Sequence, residues 1–181
     1  MTEPRVDPTE YHDEYSETLG IEFRKLEDAL LSDTVGLLAS SEPIQLRESA
    51  SVAEALQRMT EQGRGAVVVI DDEGRLAGIF TDQEVIPRVL GAARDVQLTR
   101  LSEVMIRDPE VMRPDDRICY AVNRMTSMGC RTMPIVDEDR RPVGVVTVDD
   151  VAKWLAAIFP EAILNLRPGD RLKGPAQRDG G

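Results

Sequence analysis

The sequence predicts a mixed α/β protein of the α+β type, built from tandem βαββα repeats packed sheet to sheet with pseudo-twofold symmetry. Three observations carry that expectation. Residues recur at one constant spacing, each copy holds one amphipathic helical stripe, and each stripe precedes two short β-rich runs around an acidic turn.

The recurrence needs no gaps. Gly63 and Gly129 stand 66 residues apart, as do Pro43 and Pro109, Ala55 and Ala121, and Arg58 and Arg124. Met59-Thr60 matches Met125-Thr126, Asp71 matches Asp137, and Arg75 matches Arg141. Gly78 and Gly144, Thr81 and Thr147, then Val85 and Val151 continue the series.

The elements follow in order. Pro43–Arg47 and Pro109–Arg113 read as short extended segments. Val52, Ala55, Leu56 and Met59 form an apolar stripe at helical spacing, echoed by Ile118, Ala121, Val122 and Met125. Both methionines are expected in the core. Ser51-x-x-Glu54 fits a capping box, and Asp115 or Asp116 is expected to cap the second helix. Gly63 and Gly129 suit left-handed helix ends. Ala66–Ile70 and Leu76–Phe80 predict a hairpin, as do Thr132–Val136 and Pro142–Val146. A further helix begins after Thr81 and after Thr147, the second spanning Asp149–Phe159, with Pro87 falling inside the first. Trp154 is expected to pack at the sheet or a subunit seam.

These boundaries divide the chain into an acidic arm (1–33), a first repeat (34–92), a linker (93–100), a second repeat (101–160) and a tail (161–181) expected to be mobile. The arm holds ten acids and three bases. It is either solvated or helical over Tyr11–Ser32, with Leu19, Phe23, Leu26 and Leu30 as a loose stripe.

Composition narrows the function. A net charge of -11 argues against nucleic-acid and anionic-membrane partners, which select basic surfaces. No apolar run approaches the ~20 residues of a membrane span. The polar N-terminus shows no signal peptide, so a cytoplasmic location is expected. Cys119 and Cys130 form no CxxC, and with His12 as the single histidine they cannot build a zinc set. No nucleophile with a base partner and no phosphate-binding P-loop is visible, so the chain is not expected to be an enzyme.

The segment Gly144-Val145-Val146-Thr147-Val148-Asp149-Asp150 resembles the G-h-h-T-x-x-D signature of the CBS (cystathionine β-synthase) domain, where h is apolar. Val104-Met105, Arg131–Asp137 and Asp150-Val151 support the likeness, and the repeat pair resembles a Bateman module over residues 34–160. The resemblance implies a regulatory module, a homodimer with no required cofactor. Its ligand would be an adenine nucleotide (AMP, ADP, ATP or another adenosyl compound), and it would modulate an unknown partner protein. By motif match, Thr147 contacts the phosphate or ribose and Asp150 accepts from ribose hydroxyls. Met133 and Pro134 wall the base, Ile106 and Val111 cover its other face, and Arg131 pairs with phosphate. Thr81, Glu84, Val67 and Val68 mark a second site that departs from the family pattern, with Glu84 in place of the usual Asp. Thr147-x-x-Asp150 and Thr81-x-x-Glu84 also fit plain capping boxes, and a ligand-independent dimerisation or scaffold module is the alternative reading.

Overall fold

The computed structural model describes residue 21, residues 24–38 and residues 42–158. Residues 24–32 are helical (α1), and a 3-10 turn follows at Val35–Leu37. Next come β1 (Gln45–Arg47), α2 (Val52–Gln62), β2 (Ala66–Ile70) and β3 (Leu76–Thr81). A short α3 (Asp82–Glu84) runs into a π-helical turn at Val85–Leu90. The second half holds α4 (Leu101–Val104), β4 (Ile106–Arg107), α5 (Ile118–Met128), β5 (Thr132–Val136), β6 (Pro142–Thr147) and α6 (Val148–Ile158). Leu19 and Phe23 of the expected arm stripe, Phe159 and the tail lie outside the described residues.

The repeat is written into the local chemistry. Ser51 Oγ accepts from the Glu54 N–H at 3.1 Å, and Gly63 and Gly129 close α2 and α5 at φ 62° and 67°. Asp71 Oδ1 accepts from the N–H groups of Glu73 and Arg75, and Asp137 Oδ1 from those of Asp139 and Arg141. The helical stripes bury Val52, Ala55 and Met59 in one core and Ile118, Ala121 and Met125 in another.

Three local expectations need correction. Asp115 and Asp116 do not cap α5. Asp116 is committed to the preceding turn, where its carboxylate accepts from the Arg113 N–H at 2.7 Å, and Arg117 takes the cap position without a side-chain bond. The helix after Thr81 is α-helical for three residues only. Pro87 has no N–H to donate and its ring crowds the carbonyl four residues back, so the turn widens to i→i−5 bonds such as Gly91 N–H to Ile86 O at 2.7 Å. The extended segment Pro109–Arg113 shrinks to a single parallel bridge, Met112 to Ile135. In the first half, the Val68 N–H donates to Ile44 O at 2.9 Å. Its counterpart, Pro134, has no proton to give, and one rung is lost.

Chain order and packing part company at the segments leading into each repeat. The first sheet has the order β1-β2-β3-β4, with β1 parallel to β2 and the other pairs antiparallel. Its edge strand β4 thus comes from residues that periodicity assigns to the second repeat. Leu101, Val104 and Met105 are buried in the first core beside Val52 and Phe80. Val35 and Leu38 are buried reciprocally in the second core beside Met112, Ile118 and Val146. The backbone bonds repeat at the same spacing: Leu101 N–H to Ala50 O and Ser102 N–H to Glu48 O, against Val35 N–H to Asp116 O and Gly36 N–H to Pro114 O. Gly78 admits β4, since a Cβ there would sit 2.6 Å from Met105 Sδ and 2.7 Å from Ile106 O.

The second sheet pairs β5 with β6, and Val68, Leu76 and Val136 join the halves with Val111 and Val145 against them. α1 docks through Leu30 on the second core. There Trp154 Nε1–H donates to Asp33 Oδ2 at 2.9 Å, which accounts for the tryptophan's placement. Among the described residues no helix is long and apolar enough to cross a membrane.

Leu101→Ala should lower the unfolding free energy by about 2–5 kcal/mol in urea titration, the cost of a core cavity. Hydrogen exchange should accelerate in β2 and β3 more than in β5 and β6. Faster exchange confined to the second sheet would contradict the exchanged packing.

Candidate ligand-binding clefts

Each half ends its last strand at a corner where a threonine opens a helix. Thr147 Oγ1–H and N–H both donate to Asp150 Oδ2, at 2.6 and 2.9 Å, and the Asp150 N–H returns a bond to Thr147 Oγ1 at 3.1 Å. Thr81 Oγ1–H and N–H donate to Glu84 Oε2 at 2.5 and 3.0 Å. The capping boxes expected from the sequence are therefore real. They do not preclude binding: among the described residues, Asp150 Oδ1 accepts no hydrogen bond, and it lies on a half-exposed corner.

The larger cleft, about 410 Å³, faces that corner toward the other half of the molecule. Val145, Thr147, Asp149, Asp150 and Lys153 form one side. Gln62, Gly63, Arg64, Gly65 and Ala66, the loop leaving α2, form the other. Asp82, Arg131, Thr132 and Val148 close it near the pseudo-twofold axis. Three cations and three carboxylates thus share one cleft. Arg64 also reaches out of it, donating from Nη1 to Glu42 O at 3.0 Å.

A smaller cleft of about 180 Å³ repeats the arrangement 66 residues on. Its corner is Ile79, Thr81, Gln83 and Glu84, the counterparts of Val145, Thr147, Asp149 and Asp150. Its facing loop is Met128, Cys130, Arg131 and Thr132, joined by Met133, Ile106, Pro109 and Glu110. Glu84 is buried at 9% exposure, folded against its own threonine, so the longer acid fills space here. Burial pushes the Cys130 thiol above its ordinary value, and the Glu110 carboxylate acts in the same direction.

The residues grouped from the sequence into one site divide between these clefts. Thr147, Asp150 and Arg131 line the larger, whereas Ile106 and Met133 line the smaller with Thr81 and Glu84, and Arg131 touches both. For Ile106 the exchanged lead-in segment is the cause: β4 carries it to the edge of the first sheet, beside Ile79. Pro134, Val111, Val67 and Val68 line neither. Val67 sits in the first core, Val68 packs between the sheets with Val111 against it, and Pro134 is buried with its carbonyl accepting from the Met112 N–H. Sequence reasoning missed Gln62, Arg64, Asp82 and Lys153. The 66-residue spacing could have found the first two, because the loop 62–66 is the counterpart of 128–132.

The CBS domain family model matches residues 35–91 and again residues 101–157. The chain belongs to the CBS domain family. Of this CBS pair's relatives, an uncharacterized 17.7 kDa protein of Acidianus ambivalens is 24% identical over 144 residues, 80% of this chain and 85% of that one. The arabinose 5-phosphate isomerase KdsD of Pseudomonas aeruginosa is 33% identical over 109 residues, 60% of this chain but 33% of the isomerase. The match therefore spans only a third of that enzyme. Among solved structures, the CBS domain pair of protein MJ0100, in complex with 5′-methylthioadenosine and S-adenosyl-L-methionine, superposes with a TM-score of 0.62 at 23% identity. That likeness covers 69% of this chain and 97% of the other. An uncharacterized conserved protein from Pyrococcus horikoshii superposes at 0.63 with 21% identity, covering 77% and 98%. At these identities the two structures establish the shared fold.

With its pKa raised, Cys130 carries less thiolate at pH 8 than an unstructured cysteine. In a Cys119→Ser background, iodoacetamide should therefore alkylate it more slowly than a cysteine-containing peptide, read by mass spectrometry. Labelling as fast as the peptide's would refute the partly buried placement of the thiol.

Proposed function

We propose that this CBS pair is a regulatory module of the cytoplasm that binds an adenine nucleotide or another adenosyl compound in the larger cleft and passes its occupancy to a partner protein. One observation supports this most: a helix start bearing Thr147 and Asp150, with Arg131 beside it, faces Arg64 across a cavity of ligand size. The chemistry suits a nucleotide. A carboxylate oxygen at Asp150 can accept both hydroxyls of a ribose, and the first turn of α6 favours an anion through its N–H groups and dipole. Arg131 and Lys153 add charge for a phosphate, and Ala66 and Val145 offer apolar surface to a base. The 5′-methylthioadenosine and S-adenosyl-L-methionine in complex with the MJ0100 pair are ligands of this class.

On this reading the module needs no catalytic cofactor, and the smaller cleft is the weaker site because Glu84 already fills part of it. A homodimer fits as well. Ile86 and Leu90 are 71% and 64% exposed one turn apart on the π-helical segment. The same residues favour the second reading, a module that dimerises without ligand.

Calorimetric scans with AMP, ATP, 5′-methylthioadenosine and S-adenosylmethionine separate the two. Ligand at a hundredfold excess over its Kd should add about 2.7 kcal/mol to stability, and Thr147→Ala with Asp150→Ala should abolish the gain. No shift with any of the four, in a protein that light scattering shows to be dimeric, would favour the scaffold reading.

A further inference from the structure

The pseudo-twofold axis runs between two corners whose backbones match and whose side chains do not. The Asp82 N–H donates to Gly65 O at 2.9 Å, and 66 residues on the Val148 N–H donates to Arg131 O at 3.0 Å. One corner therefore carries a carboxylate beside a residue with no side chain, and the other a guanidinium beside an isopropyl group. All four residues line the larger cleft.

The Asp82 side chain lies beside Gly65. Its Oδ2 stands 3.4 Å from where a Cβ on Gly65 would lie, an ordinary contact. Asp82 is exposed, and among the described residues its carboxylate takes part in no hydrogen bond or ion pair, so it stands as a solvated charge on the cleft wall. The cleft as a whole is balanced, with Arg64, Arg131 and Lys153 against Asp82, Asp149 and Asp150. A ligand with one phosphate adds about 1.5–2 negative charges, and a zwitterionic tail adds none. A triphosphate would add several negative charges to a balanced cleft in a chain of net charge -11, close to an unpaired carboxylate.

We infer that Asp82 sets the anionic charge the larger cleft accepts, disfavouring nucleoside di- and triphosphates relative to an adenosyl ligand with a single phosphate or a zwitterionic tail. This rests on the nucleotide reading above and narrows it.

The test is isothermal titration of the full chain with AMP and with ATP, at fixed ionic strength and without divalent cations. The wild-type protein should bind AMP more tightly. Asp82→Asn should narrow the gap by about tenfold, mainly through ATP, the size expected for one like-charge contact in a partly solvated site. Asp82→Ser, which removes the same charge with a residue suited to a helix start, should do the same should the first variant fail to fold. Asp139→Asn, an equal change of net charge in the turn between β5 and β6, should leave the ratio alone. Equal wild-type affinities, an unchanged ratio in the Asp82 variants, or an equal effect from Asp139→Asn would overturn the role of Asp82 and leave the nucleotide reading standing. Binding of neither ligand, nor of 5′-methylthioadenosine, would remove both.

Discussion

Leu101, Val104 and Met105 are sealed in the core of the first half, although the chain goes on from them to build the second. Val35 and Leu38 are sealed in the second half, although the chain goes on from them to build the first. Burying such a side chain stabilises by about 1.5–3 kcal/mol relative to leaving it in water, so each exchange is a substantial part of a small domain's marginal stability. Neither half closes its core alone. The relative placement of the halves is consequently fixed by the same contacts that stabilise each of them, and the clefts between them take their shape from those contacts.

The exchange also decides which side chains meet. The corner opened by Thr147 looks onto the loop leaving α2, and the corner opened by Thr81 looks onto the loop leaving α5. Each cleft is a joint product of both repeats. The two are built on one plan and differ through few substitutions. Glu84 and Asp150 each take two bonds from a threonine on one carboxylate oxygen, yet the longer side chain is buried and the shorter stands half-exposed. One methylene separates a corner filled by its own acid from a corner open to a larger cavity.

Much of this is legible from the residues. The spacing of 66, the apolar stripes of α2 and α5, the hairpins and the left-handed glycines are local signals, and local signals survive folding where packing agrees with them. The residues that the sequence misplaces depend on what each meets across space. Asp116 has the chemistry of a helix cap, and only the turn at Arg113 diverts it. Ile106 sits in the right motif, but its strand crosses to the neighbouring sheet, which periodicity along one chain does not encode. Gly78 is visible as part of a repeated motif. Its need to be glycine comes from Met105 and Ile106 pressing on it from 27 and 28 positions further along.

Pro134 makes the two halves unequal in backbone bonding. Its ring leaves the segment around Met112 tethered to β5 through the amide of Met112 and the amide of Val136 alone, where the first half has a continuous three-residue ladder. The same strand begins at Thr132, on the wall of both clefts. The two halves therefore share one plan but not one stitching, with the Met112 segment held to its neighbour by one rung fewer than β1 is held to β2.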